Sequence, residues 1–380
     1  MVVQPGVENF VNNLSYYIGT RQIGLITNPS AVNSNLESTL NLLTQTNQVR
    51  ALFGLEHGIR GNVQAGDKVE SYTDGQTGLP VYSLYGTTRE LTFEMLQEVD
   101  CLVFDIQDVG CRYYTYLYSL LYILKGAKPF GLPIFVLDRP NPLGGQIVGG
   151  NLLEEEYISF VGGPIPIRYG LTIGELAHYF NEVYGIGAQL TVVPMEGWQR
   201  SYLWEHTGLS WVPPSPNIPT VDTVKVYPGM CLFEGTNVSE GRGTTRPFEI
   251  IGAPWIDGEE LGRKMNGKNI PGVTFRAACF TPMFSKYAGE LCQGVQVHIR
   301  DETVFEPIQT ALHLLEVLRT DYPEFSFVEP PHRRYFFDLL AGTAQLRTVL
   351  QEKESVTVIL EKWEKEAEEF NAVRRQYLLY

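Results

Sequence analysis

Acidic side chains follow three apolar runs of the chain, at the point where each run ends. Glu56 follows residues 49–55, Asp105 follows residues 101–104 and Asp138 follows residues 134–137. If these runs are neighbouring parallel strands, their ends meet at one edge of a sheet, and the carboxylates converge on one cleft. Paired carboxylates are what glycoside hydrolysis requires, since one protonates the leaving oxygen and the other activates water or stabilises positive charge.

Each of these carboxylates has a structural alternative. Asp138, two residues before Pro140, is as well suited to a turn or a cap as to a ligand contact. Glu56 differs, because glutamate is a poor capping residue and the surrounding G-L-E-H-G (54–58) allows close approach of the backbone. The pattern therefore favours a functional Glu56. For His57 two roles are open: a contact in the cleft, or a structural hydrogen bond to a backbone carbonyl on the other face.

A second group of charged residues lies in the long glycine-rich segment 233–246, which carries Glu234, Glu240, Arg242 and Arg246. Long polar loops are often functional, and a solvated surface loop is the alternative. The segment R-Y-Y-T-Y (112–116), shortly after Asp105, supplies rings suited to sugar faces. A tyrosine stripe on a helix is more often core packing.

The elements that must position these residues alternate between strands and helices. Strands are predicted at 23–27, 49–55, 80–84, 101–104, 133–137 and 190–193. Helices are predicted at 35–46, 88–97 and 114–125, and another opens with the capping box Thr172–Glu175 and stops at Gly185. Continuous apolar strands between helices predict an α/β fold, with a mostly parallel sheet covered by helices on both faces.

Prolines are densest at residues 213–219, where neither a helix nor a central strand can continue. This predicts a domain boundary near Val224, dividing the chain into 1–223 and 224–380. The second part begins loop-rich at 227–255 and continues with a helix capped by Asp257, strands at 273–278 and 294–299, and a helix at 307–319. The last 20 residues are expected to form an amphipathic helix.

Composition excludes several classes of protein. The chain has 29 Lys and Arg against 43 Asp and Glu, for a net charge of −14. This charge disfavours a nucleic-acid-binding protein and a protein that binds membranes through a polybasic surface. Five scattered cysteines and six histidines, without C-x-x-C or H-E-x-x-H, favour buried thiols over disulfides or a metal site.

Motif absences narrow the function further. The phosphate-cradling loops G-x-G-x-x-G and G-x-x-x-x-G-K-[ST] and the elbow G-x-S-x-G do not occur, so no cofactor is expected. No run is long and apolar enough for a transmembrane helix. No signal peptide is visible, which predicts a cytoplasmic protein, or a secreted or periplasmic one if the N-terminus was trimmed.

Taken in order, the motifs resemble those of the exo-β-N-acetylmuramidases of the NamZ type, which are peptidoglycan-directed glycoside hydrolases. The resemblance covers nearly the whole chain and rests on segments 24–30, 53–61, 104–116, 137–143, 213–219 and 227–248. It implies a Rossmann-like catalytic domain (1–223) and a smaller α/β (α+β) auxiliary domain (224–380) that completes the cleft. The implied activity is release of terminal N-acetylmuramic acid from the non-reducing end of peptidoglycan fragments.

The resemblance also implies roles for individual residues. Glu56 matches the glutamate of the family's E-H-G motif and is the leading catalytic candidate; Asp105, Glu234 and Glu240 are candidates for a second catalytic group. Substrate contacts are predicted for His57, Arg112, Tyr113, Asp138, Arg139, Asn141, Asn217, Arg242 and Arg246. Because the lactyl carboxylate of muramic acid needs a local cation, Arg112, Arg139, Arg242 and Arg246 are candidate anchors.

We expect Glu56 to act as general acid on the glycosidic oxygen while the substrate's 2-acetamido group attacks the anomeric carbon, with a second carboxylate orienting that amide. Two other functions stay open: a non-catalytic muropeptide- or sugar-binding protein, and a cofactor-using Rossmann enzyme. The oligomeric state does not follow from the sequence.

Overall fold

Two β-sheets organise the residues that the computed structural model describes, which are 2–61, 71–85, 90–159, 163–329 and 334–380. The strands of the larger sheet are, in chain order, β1 (Ile23–Thr27), β2 (Val49–Gly54), β3 (Tyr72–Thr73), β4 (Pro80–Ser83), β5 (Cys101–Asp105), β6 (Ile134–Leu137) and β7 (Leu190–Val193). Their order in space is β3-β4-β2-β1-β5-β6-β7, and every neighbouring pair is parallel except β3 with β4.

The central strands are buried on both faces, as their unbroken apolar sequences predict. All five residues of β1 and all five of β5 are buried, and the two strands pair in register from Ile23–Cys101 to Thr27–Asp105. Gly24 is required in β1 because a Cβ there would lie 2.8 Å from the Phe53 ring and 2.9 Å from Leu102. The predicted α/β class, with a mostly parallel sheet, is therefore confirmed.

Helices cover this sheet and build much of the second half. They are α1 (Gly6–Asn12), α2 (Leu14–Tyr17), α3 (Thr39–Thr44), α4 (Tyr116–Ala127), α5 (Ile173–Val183), α6 (Trp204–Thr207), α7 (Val221–Met230), α8 (Gly258–Gly267), α9 (Pro307–Asp321), α10 (Phe336–Ala341), α11 (Gln345–Glu352) and α12 (Thr357–Val373). Short 3-10 turns lie at Glu94–Leu96, Lys128–Phe130, Glu155–Tyr157, Cys231–Gly235 and Arg374–Tyr377.

Local capping signals predicted helix starts better than apolar spacing did. Thr172 and Glu175 form the reciprocal capping box at the start of α5, and Asp257 accepts from the Glu260 amide at the start of α8. The helix predicted at 35–46 begins only at Thr39, because Ser38 accepts from the Asn41 amide and caps it there. The prediction of a helix at 88–97 is wrong for its described part, which holds the 3-10 turn Glu94–Leu96; residues 88 and 89 lie outside the described residues.

The second half carries a smaller antiparallel sheet, with β10 (Cys292–Ile299) between β8 (Ile250–Ala253) and β9 (Val273–Phe280). The sequence predicted β9 and β10 but not β8, which lies in the block interpreted as loop. It also did not predict α7, which contains Pro228, or α10 and α11. The boundary predicted at 223/224 falls inside α7, and the domain division stays a prediction.

Buried guanidinium groups join the two halves. Arg112 is fully buried and donates to the carbonyls of Asn151, Ile165, Leu340 and Ala341 at 2.7–3.1 Å. Leu340 and Ala341 belong to α10, more than 220 residues away along the chain. Arg112 therefore fixes α10 against the region that carries α4.

Replacing Arg112 by Met should lower the free energy of unfolding by about 3 kcal/mol or more, because several buried carbonyls lose their donor at roughly 1–3 kcal/mol each. Urea denaturation followed by circular dichroism measures this. Arg263→Met is the control, since the Arg263 side chain is 74% exposed and should change stability by no more than about 0.5 kcal/mol. Equal effects of the two substitutions would contradict this role of Arg112.

Candidate active site

Glu56 lies on a tight turn directly after β2. The turn needs two consecutive left-handed residues, His57 with φ +73° and Gly58 with φ +70°. Glycine adopts this conformation freely, whereas histidine adopts it at a cost and is held there by its surroundings. The turn leaves the Glu56 side chain half-buried and the His57 side chain buried.

Hydroxyl groups hold the two oxygens of the Glu56 carboxyl group. The Tyr85 hydroxyl donates to Oε1 at 3.0 Å, and the Thr115 hydroxyl donates to Oε2 at 2.6 Å. The Tyr116 hydroxyl donates to the main-chain carbonyl of Glu56 at 3.1 Å. Because Thr115 and Tyr116 lie at the start of α4, the beginning of that helix fixes the orientation of Glu56.

This carboxyl group faces a cavity of 330 Å³, within the range of small-molecule sites. Both halves of the chain contribute to its walls: Glu56, His57, Tyr85, Tyr113, Tyr114, Thr115, Tyr116, Ser215, Asn217, Ile218, Tyr227, Cys231, Glu234, Arg242, Phe248, Phe336 and Leu340. Of the residues predicted from sequence, the cavity brings together Glu56, His57, Tyr113, Asn217, Glu234 and Arg242. Their roles as catalytic or binding residues stay predictions.

A row of aromatic rings runs along one wall of the cavity. Ring centroids lie 5.0 Å apart for Tyr116 and Tyr114, 6.3 Å for Tyr114 and Tyr227, and 4.8 Å for Tyr227 and Phe248. The guanidinium carbon of Arg242 lies 5.4 Å from the centre of the Phe248 ring. Since the Tyr116 hydroxyl bonds to the Glu56 carbonyl, the row connects the backbone of Glu56 to Arg242 through neighbouring rings.

An ion pair holds Arg242 in the cavity wall. Its Nη2 lies 2.7 Å from Oε1 of Glu234, and the Cys231 thiol lies 3.6 Å from the same oxygen. Burial raises the pKa of Glu234, although the Arg242 charge opposes the shift. Among the described residues, Nη2 of Arg242 donates to Glu234 and Nε has no hydrogen-bond partner, so this guanidinium retains a donor beyond the ion pair.

Two matching family models cover this chain. Residues 23–222 match the model described as "Exo-beta-N-acetylmuramidase NamZ, N-terminal", and residues 225–380 match its C-terminal counterpart. The chain belongs to the NamZ family. A relative from Bacillus subtilis (strain 168), "Peptidoglycan beta-N-acetylmuramidase NamZ", is 49% identical, over 100% of this chain and 91% of that protein.

Two solved structures are similar to this chain over its whole length. A crystal structure of a DUF1343 family protein from Bacteroides fragilis NCTC 9343 matches with a TM-score of 0.91 at 36% identity, covering 100% of this chain and 99% of that chain. A second DUF1343 protein from the same organism matches with a TM-score of 0.78 at 30% identity over the same shares.

In this NamZ family member, other predicted site residues lie outside the cavity wall. Asp105 and Arg139, at the carboxyl ends of β5 and β6, form a buried ion pair with contacts of 2.5 and 2.8 Å, and the Thr39 hydroxyl donates to Asp105. This pair occupies the edge between β1 and β5, where the strand order reverses and where open α/β sheets commonly bind ligands. A catalytic role for Asp105 and a substrate contact for Arg139 stay predictions that the cavity wall does not support.

The remaining predicted residues contact protein groups instead of the cavity. Asn141 donates to the Leu171 carbonyl, Arg112 bonds to carbonyls as described above, and the exposed Arg246 pairs with Glu249 at 3.0 Å. Glu240 lies behind Arg242, with its side chain only 3% exposed. Their predicted roles therefore lack support from the cavity wall as well.

Asp138 is completely buried and accepts four hydrogen bonds. They come from the Arg139 and Gly174 amides and from the Thr172 and Tyr380 hydroxyls, at 2.8–3.0 Å. Burial, with the nearby Glu175 carboxylate, raises the pKa of Asp138 to about 7. These contacts hold Asp138 inside the fold, and its substrate contact stays a prediction that the cavity wall does not support.

The sequence did not single out several residues of the cavity wall. Tyr85 follows β4 without a recognisable motif, and Phe336 and Leu340 come from α10, which was not predicted. Thr115 lies inside the segment R-Y-Y-T-Y, so the tyrosines on either side of it were the sequence feature that could have pointed to it.

The described ranges contain no arrangement typical of a metal site or a membrane span. No group of three or more His, Cys, Asp or Glu is arranged to hold a metal ion, and no helix has the length and apolarity to span a bilayer.

The raised pKa of Asp138 predicts a pH-dependent stability. Between about pH 4 and pH 7 the folded protein retains a proton that the unfolded chain has released, so stability falls as pH rises, by at most about 4 kcal/mol. Asp138→Asn should remove this contribution, so the difference in unfolding free energy between wild type and variant should change across that range. Urea denaturation at several pH values measures it, with the exposed Asp222→Asn as control. A difference that is constant with pH would contradict it.

Proposed function

We propose that this protein is a glycoside hydrolase that releases a terminal N-acetylmuramic acid from the non-reducing end of peptidoglycan fragments. Membership of the NamZ family and the 49% identical peptidoglycan β-N-acetylmuramidase support the activity. The observation that carries the assignment in this chain is the cavity itself, whose wall includes both Glu56 and Arg242 together with a series of neighbouring aromatic rings.

The wall of the cavity suits an anionic amino sugar. Tyrosine rings offer apolar faces to the C–H groups of a pyranose ring, and their hydroxyls offer polar contacts. The lactyl group distinguishes muramic acid from other hexosamines, and its carboxylate matches a guanidinium with available donors. Of the four candidate arginines, Arg242 lines the cavity, and we assign it as the lactyl anchor.

Glu56 is the proposed proton donor. In the first step it transfers a proton to the glycosidic oxygen, the bond from that oxygen to the anomeric carbon breaks, and the substrate's acetamido oxygen bonds to that carbon. In the second step a water molecule attacks the anomeric carbon, and the bond between that carbon and the acetamido oxygen breaks. Glu56 takes a proton from the attacking water and so regains its protonated form. One protein carboxyl group therefore serves both steps.

The second carboxylate on the described cavity wall supports this route. Glu234 is paired with Arg242 at 2.7 Å, which suits it to holding the anchor rather than to activating water. In this arrangement the substrate supplies its own nucleophile, and Glu234 keeps the lactyl-binding guanidinium in place. The sequence-based expectation of a second carboxylate that orients the acetamido group stays a prediction, and this proposal does not depend on it.

Glu56→Gln should lower release of the aryl group from a chromogenic β-N-acetylmuramide by about 10²–10⁴-fold, because the amide cannot donate the proton. Its thermal unfolding midpoint should match that of wild type. Glu361→Gln, at an exposed position of α12, is the control and should turn over normally. Normal turnover by Glu56→Gln would remove Glu56 from the mechanism, and no turnover by wild type would favour a sugar-binding protein.

Arg242→Met should raise KM for the aryl muramide by about 10-fold or more, since an ionic hydrogen bond contributes roughly 1.5–3 kcal/mol. The aryl β-N-acetylglucosaminide lacks the lactyl carboxylate, so its kcat/KM should change much less. Glu234→Gln combined with Arg242→Met avoids an unpaired buried carboxylate and should give the same selectivity. Arg246→Met is the control. Retained preference of the double variant for the muramide would refute Arg242 as anchor.

A further inference from the structure

Lys286 lies outside the cavity wall, in the loop 281–291 that joins β9 to β10, and it reaches back toward Arg242. Its Nζ donates to the Phe233 carbonyl at 2.7 Å, to the Val238 carbonyl at 3.0 Å and to Oε2 of Glu240 at 2.9 Å. The side chain is 22% exposed. Three acceptors around one ammonium group use all of its donors.

The backbone at Lys286 is constrained on both sides. Ser285 has φ +70° and Tyr287 has φ +57°, which are unfavourable values for residues with a Cβ. Such a conformation persists only where surrounding contacts hold it. The Tyr287 hydroxyl, which donates to the Asn237 carbonyl at 2.7 Å, supplies one of these contacts.

The same loop also contacts the segment next to Arg242. The Met283 amide donates to the Gly243 carbonyl at 2.9 Å. A Cβ on Gly243 would lie 2.5 Å from the Phe284 carbonyl, so the two backbones approach closely. The loop therefore holds the segment 233–243 at both ends, and this segment carries Glu234, Glu240 and Arg242.

Glu240 lies between two cations. Its Oε2 bonds to Lys286, while its Oε1 stays 3.7 Å from Nε of Arg242, beyond hydrogen-bond length. The side chain is 3% exposed, so water does little to screen its charge. Glu234, Glu240, Arg242 and Lys286 together are neutral, and loss of the lysine would leave a net negative charge beside the anchor.

We propose that Lys286 is a positioning residue that sets selectivity for the lactyl carboxylate. By binding Glu240 it neutralises that carboxylate and keeps it from closing on Arg242, so the guanidinium stays available to an anionic substrate. This inference rests on the proposed function, in which Arg242 is the lactyl anchor. It gives the β9–β10 loop a role in substrate choice, although none of its residues lines the cavity.

The test compares kcat and KM for the aryl muramide and the aryl glucosaminide in wild type, Lys286→Met, Lys286→Arg and the double variant Lys286→Met/Glu240→Gln. Lys286→Met should raise KM for the muramide by about tenfold and change KM for the glucosaminide by less than about twofold. Lys286→Arg should retain most of the preference. The double variant should recover it, because the uncompensated carboxylate is gone.

A merely structural role gives a different pattern. The double variant still lacks the bonds to the Phe233 and Val238 carbonyls, so a structural brace would leave it impaired with both substrates. Lys268→Met is the control. It removes a lysine that pairs with Glu316 elsewhere in the second half, and it should leave KM for both substrates unchanged. Equal losses on both substrates, or no recovery in the double variant, would overturn the proposal.

Glu240→Gln alone keeps the test decisive if Lys286→Met folds poorly. Removing this buried negative charge should lower KM for the muramide and leave KM for the glucosaminide unchanged; an unchanged or raised muramide KM would overturn the inference. A wild-type protein that does not prefer the muramide, or an Arg242 variant that keeps the preference, would instead refute the proposed function.

Discussion

A carboxylate inside a protein persists only where donors replace the water it has lost, and the kind of donor decides what the carboxylate can do. Asp105 has a guanidinium, Asp138 has amides and hydroxyls, and Glu234 has Arg242. The Glu56 carboxyl oxygens accept from the Tyr85 and Thr115 hydroxyls, and a hydroxyl can both donate and accept. A hydroxyl that both donates and accepts can pass a proton to or from a carboxyl group, and Glu56 combines such partners with a position on the cavity wall.

The sheet follows the usual α/β architecture, but its cavity lies one strand away from the usual place. Ligands commonly bind where the strand order reverses, which here is the edge between β1 and β5. The Asp105–Arg139 pair occupies that edge. The cavity forms instead beyond β2, where the start of α4 meets residues of the second half such as Tyr227 and Phe336. The second half is therefore part of the cavity wall as well as a support.

In the proposed function, substrate choice depends on charge at some distance from the reacting bond. Arg242 lines the cavity and pairs with Glu234. Glu240 lies next to Arg242 but outside the cavity wall, and Lys286 pairs with Glu240. Each of these charges is compensated by a neighbour, so the four act as one unit. Under that proposal, a change at Lys286 acts on the substrate through Glu240 and Arg242, without a contact of its own.

Signals that are local in sequence were sufficient for much of the fold. Apolar runs predicted β1, β2, β5 and β6, because a strand buried on both faces needs mostly apolar residues; in β2 the partly buried Arg50 interrupts the run. The capping box at Thr172 predicted the start of α5, because both of its hydrogen bonds lie within four residues. The helix α7 was missed because it contains Pro228, and tertiary packing overrides that local penalty.

The sequence by itself determined the α/β class, the family and Glu56 as the leading candidate, since these depend on residue types and on spacing along the chain. Only the tertiary structure decided which donors meet each carboxylate. Thr115 meets Glu56 across 59 positions and Arg139 meets Asp105 across 34, while Lys286 meets Glu240 across 46. A hydrogen bond or ion pair requires atoms within about 3 Å, and residues so far apart in sequence reach that distance only when the whole chain packs.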